Sequence, residues 1–224
     1  MDVFIGTSGW FYNWNPNRSL DWYAKNSNLN AIELNASFYR FPFPNQIKSW
    51  AKKGENLRWV VKVNRLITHR HKFKNCLDIW KDFKERFKPL DKFIDFYLFQ
   101  VPPSFKDYNS VLEFAEKIKI GRRFALEIRN KEWLRSENNF KALKKRVVLV
   151  SVDSPDFHPK IIEDKIIYLR MHGRETWYRY NYSEKELEEI ASKIKKINPK
   201  KVYIFFNNNH DMLKNARLMK SLFS

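Results

Sequence analysis

Glu127, Asp153 and His172 stand near the ends of three successive apolar runs of a 224-residue chain. Two carboxylates and an imidazole are the groups that general acid/base chemistry uses. Lys62, Arg129 and Arg170 belong to the same class of position and would hold an anion or a developing negative charge. Asn35, Gln100, Asn207 and Asn208 offer amides that read hydroxyls or carbonyls. Lys62, inside WVVKV, is also the type of group that forms a Schiff base when desolvated. Its plainer role is a salt bridge to Glu127 or Asp153.

The elements that must position these residues are eight short apolar runs. They cover 3–6, 31–35, 58–63, 94–100, 124–129, 147–153, 166–172 and 201–208. Between them the apolar period changes from two to about 3.6 residues, the mark of amphipathic helices. In 183–197, Leu187, Ile190, Ala191, Ile194 and Ile197 make the buried stripe, and Ser183 supplies an N-cap. Helical patterns also cover 20–28, 44–53, 75–88, 107–119, 136–145 and 209–222, whereas 154–165 holds two prolines and reads as a loop. Strand-helix alternation requires parallel pairing. The first strand is followed by GTSGW, which lacks the GxGxxG turn of an open dinucleotide-binding sheet. The expectation is a single-domain α/β protein over 1–224, an eight-stranded parallel (β/α)8 or TIM barrel, with its site at the C-terminal face.

Side chains alternate across a strand, and one face of a barrel strand fills the interior. Putting Ile32 and Leu34 toward the helices leaves Glu33 and Asn35 inward. The same reasoning sends Lys62, Glu127, Arg129, Ser151, Asp153, Tyr168, Arg170 and His172 inward. A buried charge without a partner costs several kcal/mol, so these ions pair with one another or with a ligand. An internal salt-bridge network without chemistry is the plain alternative to a site.

Three chemistries compete on these residues. Acid/base work on an anionic substrate leads, with a phosphate expected by the loops after strands seven and eight, where Arg170, Gly173, Arg174 and Asn207 to Asn209 lie. A divalent metal on Glu33, Glu127, Asp153 and His172 is second, although no HxH or HExxH occurs and the nearby cations oppose it. No other cofactor is expected. A nucleic-acid-binding module is third. It draws on 43 Lys+Arg against 25 Asp+Glu, a formal charge of +18, and on Trp10, Phe11, Tyr12 and Trp14 as stacking groups. A solvated basic coat and a plug of packed aromatics explain the same features. The segment THRHK at 68–72 reads as a solvated loop, and His69, His71, His158 and His210 have no ligand spacing.

The single cysteine, Cys76, rules out an intrachain disulfide. No apolar run reaches the ~20 residues of a membrane span, and the start of the chain has no signal-like core, so a cytoplasmic protein is expected. Oligomeric state is not readable.

IGTSGW at 5–10, IELNASFYRFP at 32–42, VVKVNRLITH at 60–69 and FQVPPSF at 99–105 resemble the YecE-like proteins, domain of unknown function family 72. ALEIRNKEW at 125–133, SVDSP at 151–155, YLRMHGR at 168–174 and YIFFNNNHDMLKNA at 203–216 continue the resemblance along the whole chain. It implies a TIM barrel, loosely similar to the xylose isomerase and apurinic-endonuclease barrels, and implies no reaction. It adds Tyr39 to the candidate binding residues and covers Asn35, Lys62, Gln100, Glu127, Arg129, Asp153, Arg170, His172, Asn207 and Asn208. The loop after Trp14 is compact here, a departure that argues against a lid at that place.

Overall fold

The computed structural model describes residues 1–157 and 161–224, the side chain of Leu134 excepted, so His158 lies outside the described residues. The strands are β1 (Asp2–Ser8), β2 (Ala31–Leu34), β3 (Arg58–Lys62), β4 (Ile94–Val101), β5 (Phe124–Ile128), β6 (Val148–Asp153), β7 (Ile166–Met171) and β8 (Lys201–Phe206). They follow one another in chain order, in parallel, and close as a barrel, with β8 returning to β1. The helices are α1 (Leu20–Asn26), α2 (Pro44–Lys53), α3 (Leu77–Arg86), α4 (Tyr108–Ile118), α5 (Lys131–Arg135), α6 (Glu137–Arg146), α7 (Glu184–Ile197) and α8 (Met212–Ser221). Between β6 and β7 the described residues hold no helix, in keeping with the prolines there.

Packing divides the chain into two compact units. The first comprises Met1–Glu33, Lys52–Trp59 and Val150–Ser224; the second comprises Leu34–Ala51 and Val60–Leu149.

In the first unit, β1 pairs with β2 and β8, and β7 pairs with β6 and β8. Gly6 is where backbones meet most closely: a Cβ there would stand 2.1 Å from the Ala31 carbonyl oxygen. Helix α7 begins in a capping box, with Ser183 and Glu186 each satisfying the other's backbone N–H, and buries Leu187, Ile190, Ala191 and Ile194. Its acidic start and basic end suit the helix dipole. The first loop is packed rather than open. Trp10 meets Trp59 edge-on, Tyr12 stacks on Trp14, and Trp14 leans on Trp22 and Tyr23. Phe11 is exposed, with the Arg18 guanidinium over its ring.

Aromatic rings fill the second unit. Phe99 stacks on Phe124 with centroids 3.9 Å apart, and Trp80 packs against Tyr97, Phe99 and Phe114. Burying each such ring contributes about 2 kcal/mol. Ahead of β4 and β5, Asp91 accepts from Arg123, Lys84 and Tyr97. Burial raises its carboxyl, but these hydrogen bonds outweigh that and hold it well below the usual carboxylate range. Cys76 is buried beside a loop in which Lys72, Phe73 and Asn75 take left-handed backbone angles, and burial pushes its thiol up to about 11.

Candidate functional site

The inward residues of the first unit form a closed polar network. Glu33, at the end of β2, accepts from Ser8 Oγ and Tyr168 Oη at 2.5 Å each. Arg170 Nε and Nη2 complete the set at 2.9 and 2.7 Å. The parity rule put these side chains on one side of their strands, and the bonds between them agree. Arg170 was expected to contact substrate. It is fully buried and gives Nε and Nη2 to Glu33. A bidentate guanidinium–carboxylate pair of this kind needs both partners to offset its desolvation.

Beyond the last turn of the barrel strands, Asp153 at the end of β6 takes Arg174 Nε on Oδ2 at 3.2 Å. Arg174 Nη1 reaches Glu186 at 2.8 Å, and Tyr180 donates to that same Glu186 oxygen at 2.7 Å. Asp153 itself is wholly buried. Burial raises its carboxyl above the usual range, opposed by Arg174 and by the neighbouring Tyr182 hydroxyl. Its Oδ1 makes no well-formed hydrogen bond among the described residues. His172 follows β7, buried, with Trp177 and Tyr178 rings 5.2 and 5.4 Å from its own. Gly173 turns the chain there with φ +103, and a Cβ would strike Tyr180 and the Thr176 carbonyl.

The two amides after β8 divide. Asn207 is half-buried, and its backbone N–H bonds Met171. Asn208 was expected to read substrate, but its amide nitrogen is given to the Tyr180 carbonyl and Asn215, which fastens the loop after β7 to α8. Its Oδ1 has no hydrogen-bond partner among the described residues.

In the second unit, Glu127 is fully buried and takes Arg129 Nε at 2.7 Å. Lys62 Nζ lies 4.3 Å from the centroid of Phe38. Asn35 is half-buried with its Oδ1 lacking a hydrogen-bond partner among the described residues, Gln100 is buried, and Tyr39 is exposed against Phe38. His69, set aside as part of a solvated loop, is instead half-buried in the π-helical turn Leu66–Arg70. Burial first, and then the charges of Lys62, Arg129 and Arg65, lower its imidazole to about 4. Sequence reasoning missed His69 and Arg65. The available signal was their spacing of four, which one helical turn brings together.

The structure thus brings together Asp153 and Arg174 in one unit, and Glu127 and Arg129, with Lys62 acting on His69, in the other. Among the described residues no three His, Cys, Asp or Glu side chains gather as a metal would require, and no helix is long and apolar enough to cross a membrane.

A model of the family described as Protein of unknown function DUF72 matches residues 4–224. A DUF72 family protein of Thermotoga maritima MSB8 superposes with a TM-score of 0.84 at 25% identity, over 100% of this chain and 99% of that one. A DUF72 family protein of Enterococcus faecalis V583 gives 0.82 at 22% identity, over 99% and 97%. D-psicose 3-epimerase of Clostridium cellulolyticum H10 gives 0.56 at 14% identity, over 100% and 97%, a likeness of fold alone. No functionally curated protein matches.

Proposed function

We propose that this chain, which belongs to the DUF72 family, is an enzyme that transfers a proton to or from an anionic small molecule, with Asp153 as its acid/base group. The observation that carries the reading is the state of that one carboxyl. Burial favours its protonated form and Arg174 favours its ionised form. Opposed influences bring the two forms closer in free energy, which is what a group that both gives and takes a proton needs. Among the described residues its Oδ1 makes no well-formed hydrogen bond, which suits it to meet a substrate.

The surroundings fit that role. Arg174 is fixed by Glu186, itself held by Tyr180 and the start of α7, so the guanidinium stays beside Asp153 in either protonation state. His172, enclosed by Trp177 and Tyr178, assists from the end of the neighbouring strand. The +18 charge of the chain, a field that draws anions, supports an anionic class of substrate.

The test is to incubate the protein in deuterated water with pools of phosphorylated and carboxylated small molecules and follow them by mass spectrometry. The expected result is turnover or deuterium uptake in one anionic class, reduced at least about 100-fold by Asp153→Asn. Turnover that survives the substitution would sink the assignment. Salt-sensitive oligonucleotide binding with no turnover in any pool would favour a nucleic-acid-binding module instead.

A further inference from the structure

Asp153 and His172 are both 0% exposed. A substrate reaches them only if something that covers them moves. One segment of the first unit contacts both, and it runs from Gly173, after β7, to Tyr182, ahead of α7. Arg174 lays Nε on Asp153 Oδ2, and the rings of Trp177 and Tyr178 lie against the ring of His172.

The segment is unevenly fastened. Its root is fixed: Gly173 N–H donates to Tyr182 Oη at 2.8 Å, and Arg174 Nη1 donates to Glu186. Its far end is fixed as well, by Asn208 on the Tyr180 carbonyl and by Tyr180 Oη on Glu186. Between these ends Glu175, Thr176 and Arg179 are exposed, and none of residues 174–181 belongs to the buried core. The middle is folded back by Tyr178 N–H on the His172 carbonyl at 2.8 Å. Trp177 Nε1 donates across to Asp156 Oδ2, in the loop after β6, at 3.0 Å and at an exposed place. Gly173 and Tyr178 both take left-handed backbone angles, φ +103 and +64, freely for the glycine and at a cost for the tyrosine. Exposed hydrogen bonds and little buried apolar surface mark a segment that opens locally.

We propose that residues 175–179 form a lid over His172 and Asp153, which turns on Gly173 and Tyr178 and is latched shut by the hydrogen bond from Trp177 to Asp156. The proposal rests on the acid/base reading of Asp153 for the need of access, but the lid and latch are other residues. Closed, the lid keeps water from the carboxyl and the imidazole. Open, it uncovers His172 and Asp153 Oδ1, while Arg174, anchored by Glu186, stays on Oδ2. The closed form demands glycine at 173, where a Cβ would stand 2.6 Å from Tyr180 Cβ and 2.8 Å from the Thr176 carbonyl oxygen.

The full chain is placed in deuterated water, and uptake is followed by mass spectrometry at backbone amides and at the slowly exchanging C2 position of each histidine ring. The amides of 175–179 should exchange well ahead of those of 187–194 in α7. The His172 ring should exchange more slowly than the exposed rings of His71 and His210. Asp156→Ala, at an exposed position, and Trp177→Phe should each speed exchange at the His172 ring about fivefold, the scale of one lost hydrogen bond, and leave α7 unchanged. The double variant should be no faster than either single one, since both remove the same latch. A His172 ring that exchanges only together with α7 overturns the proposal. So do latch variants no faster than the natural chain, or two effects that multiply. Local opening together with turnover that survives Asp153→Asn would keep the lid and remove the acid/base reading. Asp153-dependent turnover with no local opening at His172 would remove the lid and keep that reading.

Discussion

Arg170 lays two guanidinium nitrogens on the two oxygens of Glu33, 2.9 and 2.7 Å away, and neither side chain reaches solvent. Removing one partner leaves the other buried with its charge uncompensated. Glu33→Gln should therefore destabilise by about 3–5 kcal/mol in urea unfolding, and Arg170→Lys, which loses the two-pronged geometry, should fare little better. The double replacement Glu33→Met with Arg170→Met should cost less than the two single methionine changes added together. Additive losses would mean that the pair is not coupled.

Asp153 makes the opposite prediction about charge. Its folded-state carboxyl is raised, so its contribution to stability is complete below the unfolded value near about 4 and is lost as pH rises through the folded value. Asparagine does not titrate. The Tm of Asp153→Asn minus that of the natural chain should therefore rise as pH goes from about 4 toward neutrality. A difference that falls over that range would show that Arg174, not burial, governs the group.

For Asp91 the sign reverses. Arg123, Lys84 and Tyr97 hold its folded carboxyl low, so the stabilisation is present above the unfolded value and is lost as pH drops below about 4. Asp91→Asn should lower Tm at neutral pH by about 4–8 °C, the equivalent of about 2 kcal/mol for a domain of this size. The gap to the natural chain should narrow in acid. A gap independent of pH would assign the loss to packing.

Gly6 leaves no room for a side chain. Its missing Cβ would meet the Ala31 oxygen at 2.1 Å, backbone against backbone, with no flexible group to give way. Gly6→Ala should fold poorly or lose at least about 3 kcal/mol, because β1 and β2 must separate. A melting curve matching the natural chain would contradict the close approach.

Periodicity carried the fold a long way, and the site much less far. The eight apolar runs match the strands within a residue or two, and Ser183 caps α7 as its spacing implied, because both signals are local. Parity likewise set Glu33, Tyr168 and Arg170 on one side of their strands. It could not tell that Arg170 pairs with Glu33, 137 residues away, since partner choice depends on strand registers that no local pattern encodes. Asn208 is alike: that its amide nitrogen goes to Asn215 and the Tyr180 carbonyl is set by loop packing, not by a local pattern. His69 was hidden by its basic neighbours. THRHK looks solvated as a string, yet a π-helical turn buries Thr68 and leaves Arg70 outside.

The lone thiol of Cys76 gives the molecule an internal clock. It is 1% exposed, and its pKa near 11 leaves little thiolate at neutral pH, so a thiol reagent should label the folded chain only when the segment ahead of α3 opens. With no second cysteine to confuse the signal, labelling rate becomes a direct count of opening events in the second unit. Ligands for that unit can then be ranked by whether they slow that count, before any reaction is known.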